Sequence, residues 1–341
     1  MPRKKKPPKR LPRIDVHSHV IPKEMLDAIR RDPQRYQMRF EEKDGKQRIV
    51  REGGNTFPVF DEFSNPDAKV AGMDRKGLDV SFISPAPMVF FYWLPADRAL
   101  EASRLVNDGI ARMAAARPDR LRGMGTVPMQ DPDAAITELE RIVRDHGFRA
   151  IELGTSVEQE QLADARFRPV LRRAQELKVF VFAHPYSFTP GCGMEGYYLR
   201  NLIGNPLQST IMAANLMFSG ALDELKQLKI CLAHGGGYVP YQIGRFVHGH
   251  KERKETRALT KTSPYKLMRR FYYDALIHDP LALRYLIDQV GADRVTLGTD
   301  APFDMGEHAP LDMLRRVKKL TPRERDQICN RTAMDLLGGK L

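Results

Sequence analysis

Short apolar runs alternate with longer amphipathic segments from one end of this sequence to the other. Eight of the runs are almost continuous in apolar residues, as parallel strands buried on both faces should be. They are residues 13–17, 80–84, 121–127, 149–153, 179–184, 229–234, 271–275 and 294–299. Eight repeats of strand and helix predict an α/β protein, a (β/α)8 TIM barrel.

The segments between these runs have the lengths and boundary signals of helices. Asp131-Pro132-Asp133 is a helix start signal, and Gly147 and Gly291 stand just past predicted helix ends. The predicted helices are residues 67–76, 98–117, 131–146, 167–177, 206–228, 239–254, 280–290 and 311–319. Residues 321–337 predict an extra C-terminal helix.

Residues 34–63 interrupt this alternation. They are polar, contain Gly45, Gly53 and Gly54, and have a β-like stretch around residues 47–51. We expect a small β-hairpin inserted after the first strand, which in a barrel lies above the catalytic mouth. Residues 13–341 are then one domain that carries this insertion.

The net charge of +12 is concentrated at the N-terminus. Seven positive residues precede the first acid, Asp15, which leaves +5 for the rest of the chain. Residues 1–12 alternate Lys and Arg with Pro, which predicts a disordered tail. No nucleic-acid recognition motif accompanies it, so we expect no nucleic-acid partner.

The remaining composition narrows the class of protein. No apolar run approaches the ~18 residues of a membrane span, and no signal-peptide core is present, so we expect a cytoplasmic protein without a membrane partner. The three cysteines are far apart and form no CxxC pattern. Neither a disulfide framework nor a thiolate zinc site is indicated.

Metal-binding residue types recur at the C-terminal ends of the predicted strands. His17 and His19 close the first strand two residues apart, and such residues in a strand point to the same side. His184 ends the fifth run, His234 ends the sixth, and Asp300 follows the eighth. Barrel active sites lie at this end. Three neutral imidazoles and one carboxylate suit Zn²⁺ or a similar divalent ion.

These residues belong to longer stretches that resemble a known family. Residues 15–19, His184-Pro185, His234 with its three following glycines, and residues 298–303 resemble the decarboxylase branch of the amidohydrolase superfamily. The resemblance is strongest to the 2-amino-3-carboxymuconate 6-semialdehyde decarboxylases. Linking stretches such as residues 123–130 and 273–280 share it, so it covers nearly the whole chain after the tail.

The resemblance implies a role for each candidate residue. His17, His19, His184 and Asp300 would bind one metal ion, and Asp300 and the unliganded acid/base His234 would be catalytic. The absence of a lysine at the end of the middle predicted strands agrees with a single metal, because a carbamylated lysine bridges the two metals of related enzymes.

The resemblance also implies residues that bind the substrate. Arg51 matches a carboxylate-binding arginine, and Arg245 matches an arginine that the family contributes across a dimer, which predicts a homodimer. Phe303 and Tyr198 would line the pocket. Tyr198 stands where the carboxymuconate enzymes carry tryptophan. We therefore expect a related but distinct acid as substrate.

The sequence thus predicts a zinc-dependent, non-oxidative decarboxylase of an unsaturated or aromatic carboxylic acid, without an organic cofactor. A second possibility is a metal-dependent hydrolase or hydratase on the same scaffold, acting on a carboxylate-bearing lactone, amide or alkene. A third is a binding protein with a basic tail. Release of CO2 separates the first possibility from the other two.

Overall fold

The computed structural model describes residues 10–51, 56–186, 193–339 and 341. Its strands are β1 (Ile14–Val20), β2 (Met38–Lys43), β3 (Lys46–Arg51), β4 (Thr56–Pro58), β5 (Val80–Pro85), β6 (Leu121–Gly123), β7 (Ala150–Gly154), β8 (Ser156–Val157), β9 (Glu160–Gln161), β10 (Phe180–His184), β11 (Ile230–Leu232), β12 (Phe271–Asp274) and β13 (Val295–Thr296). Eight of them correspond to the eight predicted runs.

These eight strands form a closed parallel barrel. Parallel ladders join β1, β5 and β6 in chain order. A second set joins β7, β10, β11, β12 and β13 in the same way. Parallel bridges between Gly125 and Ile151, and between Ser18 and Ala301, close the two remaining seams. The predicted (β/α)8 barrel is confirmed.

Helices surround the barrel. They are α1 (Lys23–Arg31), α2 (Pro33–Tyr36), α3 (Pro66–Lys76), α4 (Ala96–Ala116), α5 (Pro132–His146), α6 (Arg168–Glu176), α7 (Asn205–Phe218), α8 (Ala221–Glu224), α9 (Val239–Glu252), α10 (Pro264–Met268), α11 (Pro280–Val290), α12 (Pro310–Arg316), α13 (Pro322–Asp326) and α14 (Thr332–Leu336). The sequence reasoning missed α1, α2 and α10.

Two helix predictions need correction. The helix expected over residues 206–228 is divided into α7 and α8 at Gly220, whose φ of 75° is left-handed and where a Cβ would lie 2.7 Å from the Leu259 carbonyl oxygen. The helix expected over 311–319 ends at Arg316. The extra C-terminal helix is α13 and α14, joined by a π-helical turn over Gln327–Arg331.

The insertion after β1 is larger than the expected hairpin. β2 and β3 pair antiparallel, and β4 adds a third strand on the other side of β3. Its end is anchored to the barrel because the Ile21 amide donates to the Phe63 carbonyl oxygen at 2.9 Å. Both side chains are fully buried. The insert therefore has a fixed position beside β1.

Apolar side chains fill two layers, one inside the barrel and one between the strands and the helices. Phe82, Phe180, Phe182 and Cys231 belong to the inner layer and are almost completely buried. Of the residues expected in the tail, 1–9 lie outside the described part, while Arg10 forms a bidentate pair with Asp79 at 2.7 and 2.8 Å. No helix among the described residues is long and apolar enough to cross a bilayer.

Candidate active site

The four predicted metal ligands lie together at the C-terminal end of the barrel. His17 and His19 project from β1 into its interior and are fully buried. His184 is the last residue of β10, and Asp300 follows β13 with a left-handed φ of 58°. The ring centroids of His17, His19 and His184 are 4.9 to 5.1 Å apart. Below, these four residues are called the metal cluster.

Hydrogen bonds fix the orientation of each imidazole. His17 Nδ1 lies 2.6 Å from Asp274 Oδ2, and His19 Nδ1 lies 3.3 Å from the Pro85 carbonyl oxygen. His184 Nδ1 lies 2.7 Å from the carbonyl oxygen of the next residue. These oxygens are acceptors, so each Nδ1 is the donor and each Nε2 is left to bind a metal.

The free Nε2 atoms converge on the Asp300 carboxylate. His17 Nε2 is 3.1 Å from His19 Nε2, and Asp300 Oδ1 is 3.3 and 2.9 Å from these two atoms. His184 Nε2 has no hydrogen-bond partner among the described residues. Tetrahedral ligand bonds of about 2.0–2.1 Å place ligand atoms about 3.3 Å apart. The spacing of the His17, His19 and Asp300 ligand atoms therefore fits a single divalent cation.

Electrostatics in the cluster also favours a cation. Burial would raise the pKa of the Asp300 carboxyl, but His17 and the neighbouring imidazoles hold it well below its usual range. Burial lowers the pKa of His19 to about 4. Against the effect of burial, Asp300 and Asp274 raise the pKa of His17 to about 10. The Asp300 and Asp274 carboxylates therefore favour a positive charge at this position. A bound metal ion would take the place of the proton on His17.

His234 lies at the open side of the cluster, on a short turn after β11. Its Nε2 is 3.7 Å from Asp300 Oδ2, and its side chain is 16% exposed, against 0% for His17. Its ligand atom lies within 4.8 Å of those of His17, His184 and Asp300. The glycines after it are needed for this turn, since at Gly237 a Cβ would lie 2.0 Å from the Pro206 carbonyl oxygen.

Two buried carboxylates at the site were not among the predicted residues. Asp274 ends β12, and its Oδ1 accepts hydrogen bonds from the amides of Gly235 at 2.8 Å and Leu276 at 3.2 Å. Glu152 projects from β7, with Oε2 3.6 Å from His19 Nδ1. Neither oxygen of Glu152 has a hydrogen-bond partner among the described residues. An acid inside an apolar run was the signal for both.

Of the two predicted pocket residues, Phe303 packs against the metal cluster and Tyr198 is largely exposed. The Phe303 ring packs on the His19 ring at 5.4 Å and on Phe63, from the insert, at 5.5 Å, so Phe303 is a wall of the cluster. Tyr198 is 58% exposed and has a left-handed φ of 61°. Partial burial raises the pKa of its hydroxyl, and the charges of Asp304 and Asp300 add to this effect.

The two predicted arginines do not contact the metal cluster. Arg51 stacks over Trp93, with Cζ 3.9 Å from the ring centroid. Arg245 is exposed on α9. Neither forms an ion pair within residues 10–51, 56–186 and 193–339.

Comparison with known proteins identifies the family. The model of the amidohydrolase family matches residues 14–339. The chain belongs to the amidohydrolase family. A family relative, 2-amino-3-carboxymuconate-6-semialdehyde decarboxylase of Dictyostelium discoideum, is 30% identical over 96% of this chain and 91% of its own length. Gamma-resorcylate decarboxylase of Rhizobium sp. is 32% identical over 71% of this chain and 78% of its own.

Other known proteins are similar at lower sequence identity. The 2-keto-4-carboxy-3-hexenedioate hydratase of Sphingobium sp. is 25% identical over 75% of this chain and 76% of its own length. Among solved structures, apo Metarhizium anisopliae IDCase superposes with a TM-score of 0.84 at 22% identity, covering 96% of this chain and 97% of its own. The dihydroxybenzoic acid decarboxylase of Polaromonas sp. JS666, solved with bound manganese, has a TM-score of 0.75 at 23% identity, with 96% and 97% covered.

Proposed function

We propose that this amidohydrolase is a metal-dependent, non-oxidative decarboxylase of an unsaturated or aromatic carboxylic acid. The observation that carries the proposal is the convergence of three imidazole Nε2 atoms on Asp300, beside His234. Several relatives are at least 30% identical, and the two described above are both named as decarboxylases, which supports decarboxylation. Zn²⁺ is our proposed ion, because three imidazoles and one carboxylate in a compact set suit it.

A divalent cation held by the metal cluster would supply Lewis-acid stabilisation for negative charge that develops on the substrate. Asp274 and the carbonyl oxygens that accept from Nδ1 keep the imidazoles of the metal cluster in the ligand tautomer. The substrate lies over the cluster, against Phe303. Aromatic walls exclude water and favour a flat, unsaturated substrate.

Further aromatic rings near His184 support this substrate class. Tyr186 packs edge-on against Tyr92 at 5.3 Å and against Phe90 at 5.7 Å. Its hydroxyl donates to Glu158 Oε1 at 2.8 Å, which holds the ring in place. A rigid wall of this kind orients a planar acid before the reaction.

His234 is the proton donor in this proposal. When the bond between the substrate and its carboxyl group breaks, CO2 leaves and the electron pair stays on the carbon. His234 Nε2 gives that carbon a proton, and the partly exposed ring recovers one from solvent. His234→Gln should lower the turnover number by roughly 10²–10⁴. The metal content of this variant should stay at the wild-type level. Loss of the metal from the variant would instead indicate that His234 is a metal ligand.

Arg51 and Arg245 are the proposed carboxylate-binding residues, with Arg245 acting across a homodimer. Exposed apolar residues on α9 and at the start of α11, which α9 contacts, support an interface: Tyr241 is 41% exposed and Leu281 66%, and the Tyr241 hydroxyl donates to the Ala282 carbonyl oxygen at 3.4 Å. Mixing Arg51→Ala with Arg245→Ala protein tests this arrangement. In mixed dimers one of the two sites regains both arginines, so about a quarter of wild-type activity should return. No recovery, with mixed dimers verified, would place Arg245 in its own subunit's site or outside the site.

Hydration is the second candidate, because one family relative is a hydratase. In that reaction water adds to an alkene and stays in the product, without release of CO2. Purified protein, stripped with a chelator and reloaded with Zn²⁺ or Mn²⁺, can be assayed on carboxymuconate-like, hydroxybenzoate-like and carboxyhexenedioate-like acids. Stoichiometric CO2 that depends on the metal supports decarboxylation. Hydrated product without CO2 would refute it.

A further inference from the structure

A buried lysine lies directly behind the metal cluster. Lys69, in the first turn of α3, is 1% exposed and is the single fully buried lysine in the described part of the chain. Its Nζ donates to the His19 carbonyl oxygen at 2.8 Å and to the Ala301 carbonyl oxygen at 2.9 Å. The first carbonyl belongs to a cluster residue, and the second follows Asp300 directly.

These two carbonyls lie on opposite sides of the seam that closes the barrel. The seam consists of isolated bridges rather than a continuous ladder between β1 and β13. The His19 amide donates to the Ala301 carbonyl oxygen at 2.7 Å, and the Asp300 amide donates to the His17 carbonyl oxygen at 2.8 Å. Lys69 adds a side-chain connection to these backbone hydrogen bonds, from outside both strands.

The seam also carries backbone strain. Asp300 has a φ of 58°, a left-handed conformation that costs energy for a residue with a side chain. Such a conformation persists only when its surroundings hold it. The Lys69 Nζ, which donates to the carbonyl of the next residue, restrains the backbone on the C-terminal side of Asp300.

No simple ion pair among the described residues explains the position of the Lys69 amino group behind the metal cluster. Asp15 and Glu62 line the same small cavity, but their carboxylates have other partners. Asp15 accepts from the Thr299 hydroxyl at 2.7 Å, and Glu62 pairs with Arg75 at 2.8 Å. Burying a charge is costly unless it is hydrogen-bonded, and here both hydrogen bonds go to the two backbone segments that present the metal ligands.

We propose that Lys69 is a positioning residue for the metal centre. By clamping the carbonyls of His19 and Ala301, it sets the separation between the β1 imidazoles and the Asp300 carboxylate. This inference rests on the proposed metal site. It assigns Lys69 no contact with the metal or with the substrate.

The test compares metal binding in variants of Lys69 with that of a matched control. Lys69→Met keeps most of the apolar stem but removes the ammonium group. Lys69→Arg restores a charged donor. The control is Lys76→Met, at the end of the same helix, whose Nζ contacts the Gly72 carbonyl oxygen of that helix at 3.4 Å. Zn²⁺ dissociation constants come from chelator competition, and the absorption spectrum of the Co²⁺-loaded protein reports ligand geometry.

Lys69→Met should raise the Zn²⁺ dissociation constant about 10–100-fold, as expected when a residue behind the ligands is lost. It should also change the Co²⁺ spectrum. Lys69→Arg should recover part of both properties, and Lys76→Met should match wild type. If Lys69→Met does not fold, Lys69→Gln, one atom shorter and uncharged, carries the same expectation.

The outcomes separate this inference from the proposed function. Wild-type protein that binds no metal would refute the proposed metal site itself. Wild-type protein that binds metal, together with a Lys69→Met variant of unchanged affinity and unchanged Co²⁺ spectrum, would refute the role of Lys69 alone. A lower thermal midpoint with wild-type metal binding would show that Lys69 only stabilises the fold.

Discussion

Asp274→Asn is the substitution that most directly tests how the imidazoles are oriented. Both oxygens of Asp274 act as acceptors: Oδ2 lies 2.6 Å from His17 Nδ1, and Oδ1 accepts from two backbone amides at 2.8 and 3.2 Å. Asparagine offers one acceptor and one donor. In either orientation of its amide, an NH2 group must face an N–H donor.

The size of the effect follows from this mismatch. If the asparagine NH2 faces His17, the imidazole must move its proton to Nε2, the atom that binds the metal. If it faces the backbone amides, the turn that presents His234 loses a buried acceptor, at a cost of roughly 1–3 kcal/mol. Loss of such an outer-shell partner weakens metal binding by about 10–100-fold. We expect Asp274→Asn to fall in this range.

The assay is the Zn²⁺ dissociation constant from chelator competition, with turnover measured at saturating metal. Asp279→Asn is the matched control, because Asp279 caps α11 by accepting from the Leu281 and Ala282 amides, both at 2.8 Å. Asparagine is an equally good N-cap. The control should retain wild-type affinity. The reasoning is refuted if Asp274→Asn binds Zn²⁺ as tightly as this control.

Further predictions concern stability. Burial raises the pKa of Glu152 from 4.5 to about 8 in the metal-free fold. Between these pH values Glu152 ionises in the unfolded chain but not in the fold, so the free energy of unfolding falls as the pH rises. In urea unfolding at pH 8, metal-free Glu152→Gln should have a free energy of unfolding several kcal/mol above that of wild type, as about 1.4 kcal/mol per pKa unit implies. This difference should disappear below pH 4.5. Glu138→Gln is the contrasting variant and should lower the free energy of unfolding at pH 8, because buried Glu138 pairs with Arg141. Equal effects of Glu152→Gln and Glu138→Gln would contradict this account. Asp131→Ala should cost about 1 kcal/mol in urea unfolding, since Asp131 caps α5, while Asp131→Asn should be neutral.

Most of the fold followed from the sequence because its determinants are local. A strand buried on both faces requires an apolar run, and each of the eight runs became a barrel strand. The missed α1, α2 and α10 lie in stretches that the strand-and-helix alternation did not assign. The third strand of the insert was missed because Thr56–Pro58 is too short to show a period of its own.

The metal cluster was also predictable from the sequence. Residues two apart on a strand share a face, and the C-terminal ends of parallel strands meet at one end of a barrel. These two rules bring His17, His19, His184 and Asp300 together without any knowledge of distances. The sequence alone thus determined the barrel and which residues lie at its mouth.

Tertiary structure decided which atoms meet there. The contact between His17 and Asp274 joins residues 257 positions apart, and the contact between Lys69 and Ala301 joins residues 232 apart. Such pairs depend on strand register and helix placement, which no local pattern records. The contact of His17 with Asp274, the burial of Glu152 beside His19 and the hydrogen bonds of Lys69 across the seam therefore become visible only when the barrel is closed.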